Sequence, residues 1–389
     1  MNAVDVVLVV LLLAFMVSGI VQGFLANLAA TLGLLCGGLI AVLVVPYVIS
    51  PDEPTLWSSL GALAVVVIAA AGGQVAGTVF GADLRKSVGT RPGRWIDATG
   101  GGALSVVSAL VVSWALGYVV SGASVPYLST GVRGSAILGA VDDVMPPQAP
   151  RLLQAFSDVI DANLFPRYLD PFDEEDIVKV GPPDPSTLEL PGVAQASGSV
   201  VKILGQTTCD TGIEGSGFVF ADDRVMTNAH VVAGVAAPDV VTTTGSFPAT
   251  VVHFDPDLDV AVLKVDLDLP ALPFDYDGEA GQDAAVLGYP GNGPFDAQAA
   301  RIREEIRLNS PDIYDQGEHI RESFSIRSLV RSGNSGGPLV STEGAVLGVI
   351  FAASITDSNT GYALTAEQVR EAADQGAAAT KAVSTGNCA

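Results

Sequence analysis

Three short stretches of this 389-residue chain hold residues that could do chemistry together. The last of them, Gly333-Asn334-Ser335-Gly336-Gly337-Pro338-Leu339, is a poor core strand and a poor helix. Its glycines permit backbone angles that other residues resist. A loop built that way can turn its amide N–H groups toward an oxygen anion. Ser335 would then lie beside donors for the charge that develops on a carbonyl under attack. Most Gly/Ser loops are plain turns, so the reading depends on an accompanying base and acid.

Both occur upstream. Serine hydroxyl is a weak nucleophile at neutral pH and needs a base; imidazole suits because its pKa lies near the working pH. Thr227-Asn228-Ala229-His230-Val231-Val232 contains one of only three histidines in the chain. An imidazole that must take a proton is helped by a carboxylate that fixes its tautomer and stabilises its cation. Asp259 stands at the mouth of the apolar run Val260–Val265. By chemistry alone His253, His319, Asp255 and Asp257 also qualify. His253 falls in an alternating strand pattern, and His319 in the polar segment Asp315–Glu322. Asp255 and Asp257 precede the apolar run, with Pro256 marking a turn. These four read as surface or structural groups. The chain order His, Asp, Ser is that of chymotrypsin-like enzymes and not of subtilisins or α/β-hydrolases.

The three stretches, with Gly215-Ser216-Gly217-Phe218-Val219 ahead of them, resemble the trypsin-like bacterial serine proteases in motif, order and spacing. The resemblance implies His230 as base, Asp259 as its carboxylate and Ser335 as nucleophile. It implies the backbone N–H groups of Gly333 and Ser335 as oxyanion donors, and an all-β chymotrypsin-like double β-barrel of two six-stranded barrels. It also implies a primary specificity pocket lined by Arg327–Arg331 and by Phe351-Ala352-Ala353. Leu329 occupies the position where an acidic determinant for Lys or Arg would stand, so trypsin-like preference is not expected. Phe351 is the residue expected to narrow the site.

The elements that must carry these residues follow from composition. Hydrophobic residues make up 49% and the mean hydropathy is +0.44, yet the formal net charge is −23. The two properties are segregated: residues 1–123 carry a net −1 and the remainder −22. That acidity would repel phosphate, so a nucleic-acid partner is excluded. The apolar front half offers four stretches long enough to span a bilayer, roughly Val6–Gly23, Leu25–Ile49, Leu56–Phe80 and Ala103–Gly122. The first lacks a basic n-region and three more follow, which argues against a removable signal peptide. All four basic residues of this half lie between the third and fourth spans, whereas the loop between the second and third is acidic. The positive-inside tendency places the basic loop in the cytoplasm and everything after about residue 123 outside it. Met1-Asn2-Ala3-Val4-Asp5 and Gly23-Phe24 make this region similar to the colicin V production protein family.

Residues 124–192 read as a linker. Arg151–Asn163 has apolar residues at helical spacing, a candidate amphipathic helix. Asp170–Glu189, rich in Pro and acids, is expected to be an extended exposed tether and a site of self-cleavage. From 193 to 389 the pattern turns to short β-branched runs between Gly, Pro and Asp, closed by a short helix over Glu367–Ala373. Cys36, in an apolar run, reads as a small hydrophobe. Cys209 and Cys388 stand near the two ends of the back half and could be bridged in an oxidising compartment; two free thiols are the alternative.

The layout of four spans, acidic linker and trypsin-like domain with a cysteine near each end resembles the MarP-type membrane serine proteases of actinobacteria. That family is associated with acid and oxidative stress, which implies cell-envelope protein substrates. The expected protein is thus a helical membrane domain over 1–123, a linker over 124–192 and a trypsin-like protease over 193–389. It would face protein or peptide substrates and the lipid bilayer, with no cofactor or metal. A catalytically silent scaffold and a transport or signalling protein with an accessory protease are the competing readings. The intact trio speaks against the first, and the absence of mid-span charge against the second.

Overall fold

The computed structural model describes residues 2–48, 56–85, 91–121, 126–146, 149 and 175–388, except 210 and 355. Contacts divide the chain into two compact units, the first within Met1–Ala162 and the second holding Glu175–Ala389.

The first unit contains four helices, α1 (Ala3–Gln22), α2 (Phe24–Val48), α3 (Leu56–Arg85) and α4 (Arg91–Ser121). Each is long and apolar enough to cross a membrane, and a helix satisfies its own backbone polar groups where water cannot. Asn2 starts α1 with a capping box: its side chain accepts from Asp5 N at 3.1 Å, and Asp5 accepts from Asn2 N at 2.9 Å. Helices α2 and α3 meet backbone to backbone. A Cβ placed on Gly33 would lie 2.1 Å from the carbonyl oxygen of Gly73, and one on Gly73 equally close to that of Gly33. Only glycine allows that approach.

The helical unit continues past residue 123. Two short helices, α5 (Pro126–Arg133) and α6 (Ala136–Asp142), occupy a stretch expected to belong to the linker. Ser135 caps α6 and donates to Asp5 Oδ1 at 2.7 Å, and Trp114 Nε1 donates to Asp142 at 2.7 Å. Leu138 and Val141 are buried with Leu8, Trp114 and Tyr118. Packing against α1 and α4, not local periodicity, makes this stretch helical. The candidate helix over Arg151–Asn163 lies outside the described residues.

In the second unit, a 3₁₀ turn (Pro185–Glu189) and α7 (Pro191–Ser197) lead into thirteen strands. The first seven are β1 (Val200–Gln206), β2 (Gly212–Ala221), β3 (Arg224–Thr227), β4 (Asp239–Thr242), β5 (Gly245–Pro248), β6 (Thr250–Asp255) and β7 (Val260–Lys264). The remaining six are β8 (Asp283–Gly288), β9 (Asp296–Ser310), β10 (His319–Arg327), β11 (Pro338–Ser341), β12 (Val346–Ala353) and β13 (Thr360–Thr365). They are followed by α8 (Ala366–Ala378). The first seven make one antiparallel sheet in the order β5-β4-β1-β2-β3-β7-β6, and the last six close a barrel, β10-β13-β12-β11-β8-β9. The chymotrypsin-like plan holds, with a seven-stranded curled sheet where a six-stranded barrel was expected. Phe218, Met226, Leu287, Val340 and Tyr362 are among the buried side chains joining the two halves, and Val369 of α8 packs on them.

Residue pattern failed to announce β9, whose run Arg301–Arg307 is mostly charged. It is a strand because both edges are paired, to β8 and to β10, and because Ala300 and Ile302 point into the barrel. The tether also departs from expectation. Its described part does not hang free: Arg303 Nη1 donates to Val178 O at 2.6 Å and Arg327 Nη1 to Val180 O at 2.5 Å, laying 175–181 across the barrel as a strap.

Candidate active site

Each of the predicted residues sits at a strand end or in a loop held from both halves of the fold. Asp259 closes the turn between β6 and β7 in a left-handed conformation, φ 62°, fully buried. Asp255 sets up that turn by accepting from the N–H groups of Asp257 and Leu258, both at 3.0 Å. The Asp259 carboxylate receives His230 twice: Oδ1 accepts the backbone N–H at 2.9 Å, and Oδ2 meets Nδ1 at 2.7 Å. Asn228 Nδ2 donates to the Asp259 carbonyl at 2.8 Å, locking the His230 loop to the same turn. His230 and Asp259 are therefore brought together as the sequence reading required.

Ser335 is held from the opposite side. Ser216 of β2 grips its loop: the Ser216 N–H donates to Ser335 O at 2.8 Å and the Ser216 hydroxyl to Gly333 O at 2.6 Å. Tyr289 N in turn donates to that hydroxyl at 2.9 Å. Gly336, φ 81°, presses on the histidine loop. A Cβ there would lie 2.3 Å from Thr227 Oγ1 and 3.0 Å from Asn228 N. That contact brings the nucleophile loop against residues two and three before His230. Among the described residues, Ser335 Oγ and His230 Nε2 are both buried without a hydrogen-bond partner. The bond between them is thus not closed here, as is common before substrate binds. The backbone N–H groups of Gly333 (φ 87°) and Ser335 donate to no described group.

The other two histidines have different surroundings. His319 lies 3.7 Å from exposed Asp257, and His253 lies in β6 with its Nε2 buried and unpartnered. Phe351 is fully buried, with the Arg321 guanidinium over its ring. Val330 packs against Gly361 in the inner cluster of the second barrel, while Leu329 is exposed.

Two groups at this site carried no readable signal. Ser216 looked like part of a motif, with nothing to say that it clamps the loop. Arg321, in the unremarkable strand β10, is 1% exposed and donates to the carbonyls of Asp257 (2.8 Å) and Pro311 (2.9 Å). Burial pushes its guanidinium below the usual range, and the Asp259 carboxylate is the largest charge pulling it back. A cation buried between the two halves of the fold thus accompanies the buried carboxylate and pins the turn that carries it.

A trypsin-like peptidase domain matches residues 215–349, and the colicin V production protein family matches residues 4–146. The serine protease Rv3671c of Mycobacterium tuberculosis is 39% identical over 363 residues, 92% of this chain and 91% of that one. The chain belongs to the Rv3671c family of serine proteases. The crystal structure of the Rv3671c protease in its active form superposes with a TM-score of 0.54 at 46% identity, covering 57% of this chain and 99% of that one. A probable periplasmic DegP-like serine endoprotease of Halomonas elongata is 35% identical over 169 residues, 41% of this chain and 34% of that one. This chain is accordingly a serine endopeptidase behind a helical membrane-protein unit. The colicin V match ends at 146 and so takes in α5 and α6, which packing also assigns to the helical unit.

Cys209 and Cys388 are joined by a disulfide that closes a loop of 179 residues. The tail it secures runs beside the histidine segment: Gly234 N donates to Thr385 O at 3.0 Å and Thr385 Oγ1 to Val235 O at 3.0 Å. Chain-entropy reasoning assigns such a loop about 5 kcal/mol. Replacing both cysteines with serine is expected to lower the denaturant midpoint of the protease unit correspondingly and to reduce peptide cleavage. An unchanged midpoint and rate would show that the staple is dispensable.

Proposed function

We propose that this chain is a membrane-tethered, extracytoplasmic serine endopeptidase working through His230, Asp259 and Ser335. The observation that carries it is the geometry at the imidazole. One ring nitrogen is bound to a fully buried carboxylate, and the other is left unpartnered, as is Ser335 Oγ.

In this reading Ser335 Oγ attacks the scissile carbonyl while His230 Nε2 takes its proton. Asp259 holds the Nδ1–H tautomer and stabilises the imidazolium. The N–H groups of Gly333 and Ser335 receive the oxyanion, and His230 returns its proton to the leaving amine. Water then attacks the acyl-enzyme by the same base, regenerating the serine. A water-excluded setting makes each of these hydrogen bonds stronger than in solvent. The substrates are cell-envelope proteins, acted on under acid or oxidative stress, a reading supported by family membership and by the membrane unit. The strong acidity of the back half keeps nucleic acid out of the list of partners. Self-cleavage falls in the stretch between the two units.

An active-site phosphonate should label the wild-type chain and fail on Ser335→Ala; retained labelling at another residue would overturn the assignment. The orientation is tested separately. A reporter active only outside the cytoplasm, fused after Ala123, should score positive, and a cytoplasmic result would overturn the extracytoplasmic reading.

A further inference from the structure

The strap carries one side chain whose surroundings the reaction above does not account for. Glu175 places its carboxylate among three hydroxyls: Ser354 Oγ donates at 2.8 Å, Thr356 Oγ1 donates to the same oxygen, and Tyr362 Oη donates to the other at 2.6 Å. Ionised carboxylate accepts and cannot donate, and three converging O–H groups match it. The rest of the strap is held through backbone carbonyls, at Val178 and Val180. Such contacts read no side chain, so the selectivity of the contact resides in the carboxylate.

The position of these hydroxyls relates them to catalysis. Strand β12 is tied to the nucleophile loop at Ile350, whose O accepts from Gly336 N at 2.8 Å and whose N donates to Gly337 O at 2.9 Å. On one edge β12 pairs with β13 through Ala353; on the other, β11 reaches only to Val349. Among the described residues no strand covers that second edge beyond Ile350. An extended peptide can add to it by main-chain hydrogen bonds. Laid antiparallel, with its scissile bond at Ser335, it runs toward its own N-terminus as β12 runs on to Ser354. Four residues at roughly 3.3 Å each span about 13 Å, so the residue three or four before the scissile bond comes level with Ser354.

We propose that Ser354, Thr356 and Tyr362 form a carboxylate-binding subsite for an acidic residue three or four positions before the scissile bond. Glu175 of the chain's own strap occupies it as an intramolecular competitor. The proposal rests on Ser335 being the nucleophile. Tyr362 is a fixed part of the subsite, since its side chain is buried in the core between the two halves. Because Glu175 is joined to the protease, it competes at an effective concentration in the millimolar range. Dilute acidic substrates are therefore held off until the strap lets go.

The test uses the full-length protein in detergent and fluorogenic peptides built on a sequence that the wild type cleaves. Each carries either Glu or Gln at the third or fourth position before the scissile bond. The readout is the Glu/Gln ratio of kcat/KM. A hydrogen-bonded charge is worth about tenfold or more in such a ratio. Glu175→Gln, with Glu175→Ala as a second variant, should raise it by about that factor at one of the two positions. Adding Ser354→Ala and Thr356→Val should return it to near one. A ratio unmoved by both Glu175 variants, or one that survives loss of the two hydroxyls, would overturn the proposal. Phosphonate labelling of each variant separates the failures. Labelling intact with the ratio unmoved sinks the subsite alone; a wild type that Ser335→Ala leaves still labelled sinks the catalytic reading beneath it.

Discussion

Ser335→Ala is expected to lower kcat by about a million-fold, the scale seen when a triad serine is removed from other serine proteases. The fold should be untouched. Ser335 Oγ makes no hydrogen bond among the described residues, so alanine strands no partner, while the loop's grip is main-chain. Ser216 N still finds the carbonyl of residue 335, and the Ser216 hydroxyl that of Gly333. Full thermal stability with lost peptidase activity is the expected pair of results. The proposed oxyanion donors would survive the substitution, so a residual rate of about 10³–10⁴ over water is also expected. Activity within tenfold of wild type would mean that another nucleophile does the work.

Asp259→Asn should cost about 10⁴ in kcat. Both carboxylate oxygens face donors, His230 N and Nδ1, at 2.9 and 2.7 Å. An amide can present oxygen to only one of them, and the ring is then driven to the tautomer that cannot accept from serine. Asparagine is the substitution of choice because, after glycine, it tolerates φ 62° best. Arg321, buried between the two halves, would lose its largest countercharge as well. Asp257→Asn, two residues away on the exposed side of the same turn, serves as the control and should leave kcat near wild type. Single-turnover kinetics on both variants, alongside their melting temperatures, separates orientation of the imidazole from simple unfolding. A loss of less than tenfold for Asp259→Asn would remove that residue from the mechanism.

Much of this protein is written locally. Four apolar stretches become four helices because a long run of unbroken hydrophobicity leaves the backbone no other way to satisfy its own polar groups in lipid. The Gly-Asn-Ser-Gly-Gly loop, the Thr-Asn-Ala-His run and the Asp-Val-Ala-Val strand carry their proposed roles in residue type and order. Each is short, and its geometry is set by its own glycines, β-branched residues or turn acids. The pairing of Cys209 with Cys388 was open in the sequence and is made in the structure.

The remainder depended on contacts between distant residues, which composition and periodicity do not record. Helix α6 forms because α1 and α4 offer Asp5 and Trp114 to its two ends. Strand β9 forms against two neighbours despite its charges. Phe351 reads as a pocket wall, and nothing near it in the chain foretells the Arg321 guanidinium over its ring. The strap reads as a free acidic tether, since nothing near Glu175 in the chain foretells hydroxyls that lie about 180 residues further on. A residue's type fixes which bonds it can make; which partner completes them is decided only when the sheets close and long loops bring remote side chains to within a few ångströms.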